Sequence, residues 1–457
     1  MKQNSKRLFG TDGIRGVANT YPMTPEISLK LGKALAYVLR REKMDGKRVK
    51  VVIGKDTRLS GYIFEQALSA GITSMGGDVL LVGPLPTPAI AFLTSNMRAD
   101  SGVVISASHN PFEYNGIKFF DKLGFKLPVQ KEFEIEELIS SEAISDLGVS
   151  GEEIGKAFRV DDAPGRYVVF VKNTFIKDMT LDGLKIVLDC ANGACYKVSP
   201  LVFQELEAQV LTIGVDPNGR NINTNCGSLN PDLLKQKVME TSANLGIALD
   251  GDADRVVFCD ENGEIVDGDS IIAILANEMI TDGTLSNKTV VATIMSNMAL
   301  EKFINNKGYE FVRTPVGDRY VVEEMRKRGC NFGGEKSGHL IFLDHSTTGD
   351  GTLAALQILS IMKRNDKRLS ELTKIIDLFP QLLVNVKVRE KKPFEKIQGI
   401  EKILDSRKKD LNGRVRINIR YSGTEPLARI MVEGEDELLI KEIAEEIAFQ
   451  IKQDIGE

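Results

Sequence analysis

The 457-residue chain is poor in the residues that build metal centres and cross-links. It has three histidines, His109, His339 and His345, too few and too scattered for a polyhistidine metal centre. Its five cysteines (Cys190, Cys195, Cys226, Cys259 and Cys330) are odd in number and form no CxxC. Neither a disulfide framework nor a zinc site is expected, which suits a reducing cytoplasm. No apolar run approaches the ~18 residues of a membrane span. The opening MKQNSKRLFG has no apolar h-region, so no signal peptide is expected. Net charge is −5, small for this length, so bulk electrostatics point to neither nucleic acid nor an anionic membrane. An anionic substrate would need local basic groups. No GxxxxGK[ST] occurs, which disfavours a P-loop kinase or ATPase. What remains is an ordinary globular composition, 42% apolar and 27% charged, with no low-complexity tract. The length predicts about three domains at ~150 residues each.

The stretch from Val103 to Phe120, VVISASHNPFEYNGIKFF, is the most informative. Val103-Val104-Ile105 reads as a buried strand. It runs into Ser106-Ala107-Ser108-His109-Asn110-Pro111, a small polar loop closed by an Asn-Pro turn. A hydroxyl just past a buried strand, with His109 adjacent, suits a covalent nucleophile. The same serines could equally bond their own backbone in an ordinary turn.

Other loops share this placement. Leu8 to Gly16, LFGTDGIRG, sets three glycines around Asp12 and Arg15. Thr24 and Pro25 read as N-cap and first position of a helix reaching Arg40. The strand at 49–53 feeds the loop Gly54 to Gly61, and a helix at 62–75 leads to a strand at 78–82. That is βαβ grammar, in which ligands sit beyond the carboxyl ends of strands. Lys118 falls near the same edge. A second unit repeats the pattern, with a helix at 165–175 and strands at 184–188, 209–213 and 246–249. The segment 223–234 reads as a turn-rich connection. The last of those strands leads into Asp250-Gly251-Asp252-Ala253-Asp254-Arg255. Three carboxylates at alternate positions repel one another unless a cation neutralises them, and they could converge on one hard cation. An EF-hand is a near miss, because position 6 is Arg255 rather than glycine. A third unit, with strands at 289–293 and 310–313, ends in Gly333-Gly334-Glu335-Lys336-Ser337-Gly338-His339. Its acid, hydroxyl and imidazole could ring a sugar, or form a polar turn. Gly349 to Ala354 matches GxGxxA, but no complete dinucleotide-binding unit follows it. Beyond 378 the pattern changes to strands at 384–388, 414–420 and 427–433 with two helices. There Arg420-Tyr421-Ser422-Gly423-Thr424-Glu425-Pro426, with Arg429, could cradle an anion or simply turn a hairpin.

SASHNP resembles the active-site serine loop of the α-D-phosphohexomutase superfamily, and the likeness runs from Gly10 to Gly434. Cys226-Gly227-Ser228 resembles the amino-sugar branch of that superfamily. The fold the resemblance implies is α/β: three related mixed-sheet domains (1–157, 158–264 and 265–375) plus a smaller C-terminal α+β domain (376–457) in a heart-shaped arrangement. The implied activity interconverts glucosamine 6-phosphate and glucosamine 1-phosphate through phosphoserine and a 1,6-bisphosphate, in supply of UDP-N-acetylglucosamine and the cell wall. The alternative is the phosphomannomutase/phosphoglucomutase branch. The resemblance assigns catalysis to Ser108, Arg15, Lys118 and His109, and one Mg2+ to Ser108, Asp250, Asp252 and Asp254. It assigns sugar hydroxyls to Glu335, Ser337 and His339, and the idle phosphate to Arg420, Ser422, Gly423, Thr424 and Arg429. A sugar bisphosphate would be the activator, and the implied enzyme is a cytoplasmic monomer or homodimer without nucleic-acid or membrane partners. Lys336 departs from the amino-sugar pattern of glutamine or asparagine, Asn230 replaces its usual histidine, and Tyr421 replaces its usual proline.

Overall fold

The computed structural model describes residues 7–43, 46–397, 399–411, 413–422 and 426–456. The chain forms two compact units, one of residues 1–293 with 312–373 and the other of residues 294–311 with 374–457.

The first unit opens with a six-stranded sheet. Its strands are β1 (Ile14–Val17), β2 (Lys50–Lys55), β3 (Asp78–Pro84), β4 (Ser101–Ile105), β5 (Tyr114–Asp121) and β6 (Ala157–Arg159), in the order β1-β5-β4-β2-β3-β6. Helices α1 (Pro25–Glu42), α2 (Gly61–Ser74), α3 (Thr87–Asn96) and α4 (Val129–Ser140) accompany it. All five residues of β4 are buried, as a strand covered on both faces requires. Thr24 caps α1 by accepting the Ile27 N–H at 3.3 Å, with Pro25 at the first turn. Helices α1 and α2 pack closely because Gly71 has no side chain: a Cβ there would lie 2.2 Å from the Leu29 carbonyl oxygen. Strands β2 and β4 are parallel, whereas β5 runs antiparallel to both β4 and β1. Lys118 therefore stands on a strand opposite Val104, and Gly116 stands opposite Arg15.

The second sheet holds β7 (Lys185–Asp189), β8 (Gln209–Ile213), β9 (Leu245–Leu249), β10 (Val256–Cys259) and β11 (Ile265–Val266), in the order β11-β10-β9-β7-β8. Helices α5 (Ala163–Lys172), α6 (Val198–Gln204) and α7 (Asp232–Thr241) go with it. Helix α7 was not anticipated in the turn-rich segment at 223–234. It begins only at Asp232, and its short apolar face is Leu234 and Val238, four residues apart and both buried. Leu249 pairs with Val256 across an antiparallel hairpin, so Asp250 to Arg255 form its tip.

The third sheet has the order β13-β12-β14-β15, from β12 (Thr289–Thr293), β13 (Glu310–Thr314), β14 (Phe332–Gly334) and β15 (Leu340–Phe342). With it come α8 (Gly268–Thr281), α9 (Met298–Asn306), α10 (Asp318–Arg328), α11 (Gly351–Asn365) and the short α12 (Leu369–Leu372); α9 falls within the second compact unit. The GxGxxA match lies at the start of α11. Asp350 caps this helix by accepting the Leu353 N–H at 3.0 Å, and a Cβ on Gly351 would lie 2.7 Å from the Arg255 carbonyl oxygen. The match thus serves capping and close packing.

The second unit contains a three-stranded antiparallel sheet, β16 (Gln381–Lys387), β17 (Val415–Tyr421) and β18 (Leu427–Gly434), in the order β16-β18-β17. Helices α13 (Ile400–Leu411) and α14 (Glu437–Ile455) accompany it. Ile440, Ile443, Ile447, Ile451 and Ile455 recur every three or four residues on α14 and are all buried.

The cap at Asp350 has a cost that pH reveals. Burial raises its carboxyl to about 6, against the bonds from Leu353 and from the Tyr167 hydroxyl at 2.8 Å. A carboxyl raised on folding stabilises the fold below its unfolded pKa and loses that contribution as pH climbs through 6. Asp350→Asn keeps a capping oxygen and has no charge to bury. Urea unfolding at pH 4.5 and 7.5 should show the variant gaining about 2 kcal/mol on the wild type between the two.

Candidate active site

The serine loop is shaped from beneath by the loop that follows β2. Asp56 accepts the Ser106 hydroxyl at 2.6 Å, and the Ser106 oxygen in turn accepts the Ser108 N–H at 2.9 Å. Asp56 also holds Arg58, through its N–H at 2.9 Å and its Nε at 2.8 Å. Arg58 is fully buried and donates to three carbonyls of the serine loop: Ser108 and Asn110 at 2.9 and 2.8 Å, and Pro111. Asn223 Nδ2 donates to the Ser108 and Asn110 carbonyls at 2.9 and 3.1 Å. So gripped, Ser108 adopts a left-handed φ of 54°, costly for a residue with a Cβ. The result aims its hydroxyl at the aspartate loop.

The Ser108 hydroxyl donates to Asp250 Oδ2 at 2.6 Å and lies 3.3 Å from His109 Nδ1. Asp250, Asp252 and Asp254 are all buried, with carboxylate oxygens within 4.8 Å of one another. The loop approaches the serine closely because position 251 is glycine: a Cβ there would lie 2.5 Å from the Ser108 carbonyl oxygen. Asp252 Oδ1 and Asp254 Oδ1 are buried with no hydrogen-bond partner among the described residues. Buried acceptors left in this way are costly. Converging carboxylate oxygens suit a hard divalent cation, and this set could hold one. Burial, then Asp254 and Asp252, push the Asp250 carboxyl up to about 8. Burial also opposes ionisation of Asp254, but Lys118, His339 and Arg255 outweigh it and hold that carboxyl well below the usual range.

Cations and further carboxylates alternate around the triad. The buried Lys118 ammonium lies 2.9 Å from Asp252, 3.4 Å from Asp254 and 3.1 Å from Asp12. Burial disfavours its charge, but these three carboxylates raise its pKa above the ordinary lysine value. Asp12 also pairs with Arg15 and, at 2.5 Å, with Lys126, which reaches Asp318 at 2.6 Å. Asp318 lies 3.4 Å from His339 Nε2, and Asp254 3.7 Å from His339 Nδ1. Burial disfavours the imidazolium, but Asp318 and Asp254 prevail and raise it to about 9. Arg15 Nη1 is 3.5 Å from both the Ala107 carbonyl and Asn110 Oδ1, which sets it against the serine loop. His109 goes the other way: burial, Arg255 and Arg15 lower it to about 4, so it is neutral at pH 7.

Of the loop at 335–339, Glu335 is buried and accepts the Gly317 N–H at 3.0 Å, and Ser337 is exposed. Lys336 directs its ammonium to Asp267, 3.1 Å away. Arg255, Lys336 and Ser337 line one cavity of about 270 Å³. Ser108, His109, Arg15, Lys118, the three aspartates and His339 are thus brought into one cluster. Asp12, noted from sequence without a role, joins it, as do Asp56, Arg58, Lys126, Asp318 and Asn223, which the sequence did not single out as site residues. In the second unit, Arg420 and Arg429 stand directly opposite each other on β17 and β18. Like charges so placed repel, and burial, then Arg429, lower the Arg420 pKa. Ser422 is buried there and receives the Lys391 ammonium on its carbonyl at 2.5 Å. Gly423 and Thr424 lie outside the described residues.

Arg58 is the most exacting member of this framework. Arg58→Met leaves the buried Asp56 carboxylate without its counter-charge and takes from three carbonyls one of their two donors. Thermal and urea denaturation should show a loss of about 3–5 kcal/mol. Arg58→Lys, which cannot reproduce the fork, should recover only part of it.

Four sequence models match the chain, all described as phosphoglucomutase/phosphomannomutase. These are α/β/α domain I over residues 6–145, domain II over 165–263, domain III over 267–379 and the C-terminal domain over 383–450. The phosphoglucosamine mutase of Geobacter sp. (strain M21) is 60% identical over 451 residues, covering 99% of each chain. That of Nitratidesulfovibrio vulgaris (strain DSM 19637 / Miyazaki F) is 55% identical over 448 residues, covering 98% of this chain and 99% of the relative. Among solved structures, a phosphoglucomutase/phosphomannomutase family protein from Burkholderia thailandensis superposes with a TM-score of 0.80 at 23% identity, covering 98% of this chain and 97% of that one. The Aspergillus fumigatus N-acetylphosphoglucosamine mutase, in complex with GlcNAc-6P and magnesium, gives 0.65 at 17% identity over 98% and 96%. With matching models along nearly its whole length, the chain belongs to the phosphoglucomutase/phosphomannomutase family.

Proposed function

We propose that this chain is a phosphosugar mutase that interconverts glucosamine 6-phosphate and glucosamine 1-phosphate with Ser108 as the phosphoryl carrier. The observation that carries this reading is the Ser108 hydroxyl, held by a buried framework 2.6 Å from Asp250 in a cluster where two buried carboxylate oxygens accept no hydrogen bond among the described residues. The identity of up to 60% to proteins named phosphoglucosamine mutase supports the amino-sugar. In this reading phospho-Ser108 gives its phosphoryl group to the sugar O1. The 1,6-bisphosphate turns over, and its 6-phosphoryl group passes to Ser108. A sugar 1,6-bisphosphate would prime an unphosphorylated enzyme.

Phosphoryl transfer asks for positioning and charge neutralisation above all. Asp250, Asp252 and Asp254, with Ser108, would hold one Mg2+. When bound, that ion supplies neutralisation of charge on the phosphoryl oxygens. Arg15 adds a fixed cation beside the serine loop. His109 and Lys118 differ in what they can do with a proton. His109, neutral at pH 7 and 3.3 Å from the serine hydroxyl, suits a base. Lys118, among three carboxylates, keeps its proton and suits a fixed cation that donates hydrogen bonds. Glu335, Ser337 and His339 would meet sugar hydroxyls. Arg420, Ser422, Gly423, Thr424 and Arg429 would hold the idle phosphate, whose negative charge relieves the repulsion between the two arginines.

The hexose branch is the second reading, raised by Lys336. Its pairing with Asp267 favours the amino-sugar, because that charge is already compensated near the loop. The test compares kcat/KM for glucosamine, glucose and mannose 6-phosphates with Mg2+ and a trace of 1,6-bisphosphate. Preference for glucosamine 6-phosphate is expected, with a loss of at least about 10³-fold in Ser108→Ala. Lys336→Gln should alter the glucosamine-to-glucose ratio by less than about threefold, as suits a partly exposed ion pair. Preference for a hexose phosphate assigns the chain to the other branch, and phosphate release without isomer formation makes it a hydrolase.

A further inference from the structure

A cavity of about 300 Å³ lies beside the ion-pair chain, between the segment around Phe125 to Gln130 and helix α10. That is the lower end of small-molecule sites, ~300–1,000 Å³. Neither Ser108 nor any of the three aspartates lines it. Its wall towards them is the Lys126–Asp318 pair, 2.6 Å apart, and Lys126 also pairs with Asp12.

Two buried donors around this cavity are unmatched among the described residues, and an exposed arginine stands beside them. Arg319 is buried and spends both terminal nitrogens on Glu132, which leaves its Nε buried without a partner. Thr348 is 3% exposed, and its hydroxyl also has no partner. Arg326 stacks its guanidinium 4.0 Å over the Phe125 ring and pairs with no carboxylate. Two carboxylates also face the space, but Asp318 is held by Lys126 and Glu323 is exposed. Buried polar groups are nearly always satisfied, and each exception asks for an explanation. Donors of this kind, converging on a cavity with an aromatic wall, match a ligand that brings acceptors and a flat apolar body. Pro128 and Val322 extend the apolar side.

We propose that this cavity is a second ligand site, for a small anionic molecule whose carboxylate or phosphate monoester meets Arg319, Arg326 and Thr348 and whose body lies against Phe125. Arg326 provides the planar fork that either head group accepts, and Arg319 adds its remaining N–H. Because Lys126 is shared between Asp318 and Asp12, an anion here acts on the same ammonium that holds the catalytic cluster together.

The experiment is calorimetric titration of the full chain, with Mg2+, by benzoate and by phenyl phosphate. Saturable 1:1 binding of at least one probe is expected, and the tighter probe identifies the head group. Arg326→Gln should weaken binding about tenfold. Gln130→Trp, at the exposed rim, should weaken it by filling the mouth without touching the core. Circular dichroism establishes that both variants fold. Saturable binding of neither probe below ~10 mM overturns the proposal. Binding that survives both variants belongs elsewhere, the catalytic centre included, and overturns it as well.

Discussion

Three aspartates forced together out of reach of water are the constraint on which the first unit is built. Ionised and unscreened, they would repel strongly, and the surroundings answer this in three ways. Lys118 and Arg255 place positive charge beside them, the Ser108 hydroxyl donates to Asp250, and Asp250 itself is displaced towards its neutral form. Neutralisation then passes outward through Lys118, Asp12, Lys126, Asp318 and His339, each sign followed by the other. Ser108 is one link of that arrangement, which is why its environment is so fully specified.

The fold supplies positions that a regular parallel sheet would not. Strand β5 turns back along β4, so Lys118 stands on a rigid strand rather than in a loop. The DGDADR segment closes an antiparallel hairpin, so its carboxylates project from a short, pinned tip. Rigid elements of this kind suit a reaction that depends on placing charge accurately.

Much of this was legible in the sequence, for reasons that can be traced. The β-branched runs gave β2, β4 and β12, because a strand covered on both faces has no room for alternation. Alternate aspartates in DGDADR marked a convergence of charge, because the spacing leaves few benign alternatives. Thr24-Pro25 announced α1 through its cap. Less was legible where function depends on distant partners. Arg58 lay in a noted loop, yet nothing local says that it reaches three carbonyls some fifty residues away. Lys126 and Asp318 are ordinary surface residues by sequence, and only the fold sets them 2.6 Å apart. Helix α7 was hidden by the polar residues before it, and its two buried side chains are too few to show a period.

The contact between Gly251 and Ser108 ties two distant loops together. The loop carrying Ser108 and the loop carrying the carboxylates touch backbone to backbone, with no room for a single methyl group between them. A change of length or a side chain at the contact in either loop would displace the other. The two are one packing unit, although Ser108 and Asp250 stand 142 residues apart in the chain.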